Sequence, residues 1–161
     1  MKKNVLLLAN SHLFSVFSQL FLKKSYQCHL LNVRYPNEKM NRDEHFVHQL
    51  SDVYHHFHYK RGLVRSTHLF SFTSHLSHRI SYAMSQAQPH VIIYEMKTFE
   101  EHEWILLKYL HQTYPLNIIA FIPSEHKSKE MMFKLAENGV REVITQWEED
   151  IFMHAVKRNI S

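Results

Sequence analysis

Glycine is scarce in this sequence: there are two in 161 residues, Gly62 and Gly139. The phosphate-cradling loop of nucleotide hydrolases and the dinucleotide-binding turn both need several glycines, because backbone must approach phosphate closely. Neither can be built here. Cysteine is scarcer still. The single Cys28 excludes an internal disulfide framework and any zinc cage made of thiolates alone within one chain. Long apolar runs are also missing. Val5-Leu6-Leu7-Leu8-Ala9 follows Lys2 and Lys3 and mimics a secretory signal, but it is short and runs into Asn10, Ser11 and His12. No stretch approaches the roughly 20 apolar residues of a membrane span. The expectation is a cytoplasmic protein with a reduced thiol.

Acidic residues are absent from one long segment. Between Val53 and Tyr94 there is no Asp or Glu, while Lys60, Arg61, Arg65 and Arg79 are all present. The formal net charge of +4 resides in that segment, and the rest of the chain is neutral. A basic patch of Lys60, Arg61, Arg65 and Arg79 suggests an acidic protein, a nucleic acid or an anionic surface as partner. The plain alternative is a solvated surface that lacks acids.

What is present is a folding composition, 45% hydrophobic and 21% charged, in a chain whose length suits one domain over residues 1–161. Val5–Ala9, Cys28–Val33, Val91–Tyr94, Ile118–Ile122 and Glu142–Thr145 are short apolar runs, the pattern of strands covered on both faces. Helical spacing separates them: Leu13, Val16, Phe17, Leu20 and Phe21 over 11–24, then 98–112, then a helix opened by Ser124 and closed at Gly139, and last 148–158. Five strands alternating with helices predict an α/β, flavodoxin-like parallel sheet in the order 2-1-3-4-5 with helices on both faces. Residues 35–88 hold two helical patterns where one crossover helix would suffice. One runs over 43–59 with Phe46, Leu50, Val53 and Phe57 on its apolar face. The other starts at Ser66 or Thr67 and continues through Leu69, Phe72, Leu76, Ile80 and Met84. An enlarged helical crossover, or insertion, is therefore expected at about 35–88.

On the first of these helices His48, Asp52 and His55 would stand at i, i+4 and i+7, close enough for a shared cation. A solvated polar face collects histidines equally well, and no metal or other cofactor is expected. Tyr54, Phe57, Tyr59, His68 and Phe70 interleave with Lys60, Arg61 and Arg65, an arrangement able to stack and neutralise a single-stranded nucleic acid. No nucleic-acid-binding motif accompanies it.

From Pro89 onward the chain resembles the second half of a response-regulator receiver domain. Pro89-His90-Val91-Ile92-Ile93-Tyr94-Glu95 parallels the strand that ends in the phosphoacceptor aspartate. Ser124 stands where receivers place a phosphoryl-contacting hydroxyl, Gly139 matches the glycine closing the next helix, and Val143-Ile144-Thr145 follows as the last strand. The resemblance implies a vestigial pocket of Ala9, Asn10, Glu95, Ser124 and Gln146. Glu95 replaces the aspartate, Ala9 and Asn10 replace the two magnesium-holding acids, Gln146 replaces the lysine, and Trp147 replaces the proline after it. Phosphoryl transfer needs a cation clamp on developing negative charge, and a hard magnesium site needs carboxylate oxygens. The expected protein is thus a pseudo-receiver with no catalytic residues, acting by protein contact with a partner or with itself through Met131, Lys134 and Trp147. Glu95 can equally be a solvated carboxylate at a strand end, and Met132 and Phe152 can equally be core.

Two other readings stay open. One is a small-molecule-binding Rossmann-like domain, or a fragment of an enzyme such as a glycosyltransferase, with its ligand near Asn10, Ser11 and Glu95. The other is the N-terminal regulatory part of a longer transcription regulator.

Overall fold

The computed structural model describes residues 3–9, 26–32, 53–60, 63–70, 76–146 and 148–160. The chain divides into two compact units, Met1–Pro89 and His90–Ser161. The expected helix over 11–24 lies outside the described residues.

In the first unit β1 (Lys3–Ala9) and β2 (Tyr26–Asn32) pair in parallel, from Lys3 opposite Tyr26 to Ala9 opposite Asn32. Val5, Leu6, Leu7 and Leu8 are all buried, as are Cys28, Leu30 and Leu31. A continuous apolar run rather than an alternating one is what a parallel strand covered on both faces requires. Helix α1 (Leu76–Ala87) packs on both strands through Ile80, Ala83, Met84 and Ala87, spaced for one helical face. Asn4 Nδ2 donates to the Ala87 carbonyl at 2.7 Å. The helix ends there because Gln88 turns to φ 44 ahead of Pro89.

Burial strongly disfavours the charged form of the fully buried Cys28 and pushes its thiol upward. Thiol reagents attack the thiolate. Native protein is therefore expected to leave Cys28 unlabelled by iodoacetamide until it is unfolded in denaturant. Labelling in native buffer at the rate of a free thiol would contradict this placement.

The stretch between β2 and the next parallel strand departs from the expectation of two helices. β3 (Val53–Lys60) and β4 (Leu63–Phe70) are strands, paired antiparallel from Val53 opposite Phe70 to Lys60 opposite Leu63. β3 also pairs antiparallel with β2, with Cys28 opposite Phe57 and Leu31 opposite Tyr54. The strand order of this unit is β4-β3-β2-β1. A spacing of four, as from Val53 to Phe57, is a helical turn but also an even number, so it satisfies strand alternation equally. β-branched and aromatic content then favours the strand, and the two residues Arg61 and Gly62 between the strands match the shortest hairpin connection. The insertion at 35–88 is thus a hairpin followed by one helix over its described residues. The part of the 43–59 reading before Val53 lies outside them.

In the second unit β5 (Val91–Glu95), β6 (Ile118–Phe121) and β7 (Val140–Ile144) are parallel neighbours. The register slips between Ile118 and Ile119, whose partners are Val140 and Glu142. Arg141 is the extra, exposed residue of that bulge, which is why the apolar pattern places this strand two residues late. The helices are α2 (Glu101–Thr113), α3 (Lys129–Glu137) and α4 (Glu149–Asn159). Their buried faces carry Trp104, Leu107 and Leu110, then Leu135, then Phe152, Ala155 and Val156. Each fully buried Leu, Ile or Phe contributes roughly 1.5–3 kcal/mol. Ser128, not Ser124, caps α3: its Oγ accepts from the Met131 N–H at 3.0 Å, while Ser124 opens a separate 3-10 turn to His126. Gly139 ends α3 at φ 93, the left-handed position expected of it.

Counted alone, the parallel strands take the order 2-1-3-4-5, so the chain is an α/β protein of flavodoxin-like class.

Candidate functional site

β5, β6 and β7 run in parallel, so the segments leaving their carboxyl ends emerge along one edge. In open α/β sheets that edge is where ligands and switches sit. Glu95 closes β5 opposite Phe121, and the Met96 N–H continues the ladder to the Phe121 carbonyl at 3.0 Å. The Glu95 side chain is 8% exposed, and its Oε1 lies 3.4 Å from the Lys97 ammonium. It is a carboxylate held by its own loop, not a solvated strand end.

The centre of the arrangement is Glu103, which is 3% exposed. Its Oε2 accepts from the backbone N–H of Phe99 at 2.7 Å, the backbone N–H of Thr98 at 2.9 Å and the Thr98 hydroxyl at 3.0 Å. Its Oε1 accepts from the Lys97 N–H at 3.1 Å and the Tyr94 hydroxyl at 3.3 Å. Three consecutive N–H groups that converge on one point form an anion-binding nest, and here the anion is supplied from the third position of α2. Helix α2 also carries Glu101 in its first turn, where the helix dipole favours negative charge.

This clamp supports a strained residue. Phe99 has φ 55, a conformation that costs a residue with a bulky side chain about 1–3 kcal/mol. Both of its backbone polar groups are fixed by α2: its N–H by Glu103, and its carbonyl by the Trp104 indole N–H at 3.1 Å. The Phe99 ring stacks on His126 of the 3-10 turn, with centroids 4.2 Å apart and planes 25° apart. Lys134 of α3 in turn lies over the Trp104 ring, 4.3 Å from its centroid, a favourable cation–π contact. One connected set of contacts thus joins both loops to α2 and α3.

The residues singled out from sequence are distributed as follows. Glu95 closes β5, while Ser124 and Gln146 follow the ends of β6 and β7 and are exposed. Ala9 closes β1 in the first unit and is buried. Asn10 and Trp147 lie outside the described residues. Of the expected contact surface, Met131 is half-buried and Lys134 is engaged with Trp104. Phe152 is core. Lys60 ends β3 and Arg65 stands opposite His58 in β4, so these basic residues sit on a hairpin rather than along a helix. Arg79 belongs to α1 and Arg61 lies outside the described residues. The helix expected to carry His48, Asp52 and His55 is contradicted at His55, which is on strand β3 opposite His68, and His48 and Asp52 lie outside the described residues. Among the described residues no group of three or more His, Cys, Asp and Glu side chains is placed to hold a metal ion. No described helix is long and apolar enough to cross a membrane.

Glu103, Phe99 and His126 were not legible as a unit. An acid at the third position of a helix is a recognisable signal, but it does not reveal that the carboxylate reaches back past the cap to residues 97–99.

No family model matches the chain, and no curated protein matches it. Among solved structures it is similar to the cytosolic domain of the FeoB iron transporter of T. maritima in apo form, at 12% identity and a TM-score of 0.44. The match covers 98% of this chain and 61% of that one. A likeness at this level carries no functional argument.

Proposed function

We propose that the chain is a non-catalytic pseudo-receiver, a cytoplasmic signalling or regulatory module that works by phosphorylation-independent protein contact. The observation that carries this reading is the state of Glu95. At the strand end where a receiver holds its phosphoacceptor, the carboxylate is almost fully covered and engaged by Lys97. The neighbouring loop has its N–H groups occupied by Glu103, so they are not free to receive a phosphoryl group. Ala9 and Gln146 supply neither a magnesium carboxylate nor a cation. What the second unit offers outward instead is contact surface, with Phe133 67% and Ile105 60% exposed.

Incubation with acetyl phosphate and magnesium is expected to leave Glu95 unmodified by mass spectrometry. A magnesium-dependent, acid-labile adduct on residue 95 would overturn the reading.

A further inference from the structure

β4 is the outermost strand of the first unit, in the order β4-β3-β2-β1, and among the described residues no strand pairs with its outer side. An outer strand presents a row of open backbone donors and acceptors, and proteins blunt such an edge with proline, a bulge, shortness or charge. β4 runs for eight residues, Leu63-Val64-Arg65-Ser66-Thr67-His68-Leu69-Phe70, without proline and without an acid. Its register against β3 is unbroken from Leu63 opposite Lys60 to Phe70 opposite Val53, so no bulge turns the edge away. The two residues between Lys60 and Leu63 make those two a hydrogen-bonded pair, and bonding then alternates along an antiparallel ladder. Leu63, Arg65, Thr67 and Leu69 therefore bond to β3. The backbone groups of Val64, Ser66, His68 and Phe70 face the open side.

Charge says what fits this edge. The hairpin lies in the acid-free stretch from Val53 to Tyr94 that holds the formal net charge of +4. Strand alternation places Lys60, His58 and Arg65 on one face of the hairpin, and Val64 and Phe70 on the other. A second copy would bring the same positive charge to the same edge, so self-pairing is opposed.

We infer that β4 takes up an extended segment of an acidic partner protein as an added antiparallel strand. Residues of that segment alternate between acidic and apolar. The acidic ones fall on the face of Lys60 and Arg65, the apolar ones on the face of Val64 and Phe70. In such an addition backbone hydrogen bonds supply affinity, and alternate side chains supply specificity. This rests on the contact reading above and names the chemistry of the partner.

A fluorescein-labelled, end-capped peptide of alternating Glu and Val, as long as β4, is expected to bind the full chain saturably at low salt, read by anisotropy. Binding weakens about tenfold or more at about 0.5 M salt, where the screening length falls to a few ångströms. N-methylation of the Val amides, which face β4 in this register, abolishes binding, whereas N-methylation of the Glu amides, which face away, leaves it intact. Lys60→Glu with Arg65→Glu weakens it about tenfold or more. Ser66→Pro abolishes it, because the Ser66 N–H lies on the open side and the ladder to β3 does not use it. Should Ser66→Pro fail to fold, the two methylated peptides still decide, since they act on the wild-type chain. Equal binding of the parent and Val-methylated peptides, or full binding by a folded Ser66→Pro variant, overturns the inference. So does tighter binding of a single-stranded oligothymidylate that survives Ser66→Pro, which would assign the basic hairpin to nucleic acid. Each of these results leaves the pseudo-receiver reading standing. An adduct on Glu95 removes that reading whatever the peptide does.

Discussion

Glu103→Ala is expected to destabilise the protein by about 3–4 kcal/mol, a large share of the ~5–15 kcal/mol that holds a typical domain together. The carboxylate accepts from three backbone N–H groups and two hydroxyls. Each donor left unmade in a partly buried site costs about 1–3 kcal/mol, less where water can enter beside the exposed Lys97 and Thr98. Phe99 adds to the loss, since its left-handed backbone is held by the same group. Glu103→Gln restores one carbonyl acceptor but turns an amide NH₂ toward N–H donors, so it recovers less than half. Urea unfolding reads the effect as a drop in midpoint at constant slope. A loss below about 1 kcal/mol would show that the loop keeps its shape without the carboxylate.

The second large effect is expected at Gly139. Its φ of 93 is disfavoured for any residue with a Cβ, at a cost of about 1–2 kcal/mol. An added Cβ would also overlap Cγ and Cβ of His111 on α2 and approach its Nδ1 to 2.6 Å. The Cβ of His111 keeps its place when χ1 changes, so turning the imidazole away does not by itself remove the overlap. Gly139→Ala should therefore cost about 3 kcal/mol in all, with overpacking supplying the remainder. Made in a His111→Gly background, the same substitution should cost only the backbone part. Equal costs in the two backgrounds would show that the close approach of α2 to the end of α3 does not contribute.

The parallel strands were readable because a strand buried on both faces writes itself as an uninterrupted apolar run. Val91–Tyr94 and Ile118–Phe121 carry that pattern plainly, Val5–Ala9 is too short for the secretory signal it mimics, and Gly139 announces the end of α3. The hairpin was not readable for a definite reason. Val53 and Phe57 satisfy helical and strand periods together, and a two-residue gap at Arg61-Gly62 serves as a helix break as readily as a turn. The helical spacing that set His48, Asp52 and His55 on one face is lost at His55, which belongs to strand β3. Ser124 was mistaken for the cap of α3 because Ser124 and Ser128 are equally good capping residues. Only the intervening 3-10 turn distinguishes them. The site itself was half legible. Glu95 is marked by its place at a strand end, whereas the clamp on residues 97–99 depends on a side chain arriving from the following helix.

That clamp has a consequence for how the molecule can transmit anything. Connections between strands and helices usually serve as hinges because their amides exchange partners with water at little cost. The segment from Lys97 to Phe99 is tied down like the interior of a helix. It cannot loosen one bond at a time, since its donors share one carboxylate and Phe99 is locked at both its N–H and its carbonyl. A perturbation arriving at the end of β5 must carry the whole first turn of α2 with it. Trp104 lies in that turn, so the displacement passes to Lys134 on α3 as a rigid lever, not as a melting loop.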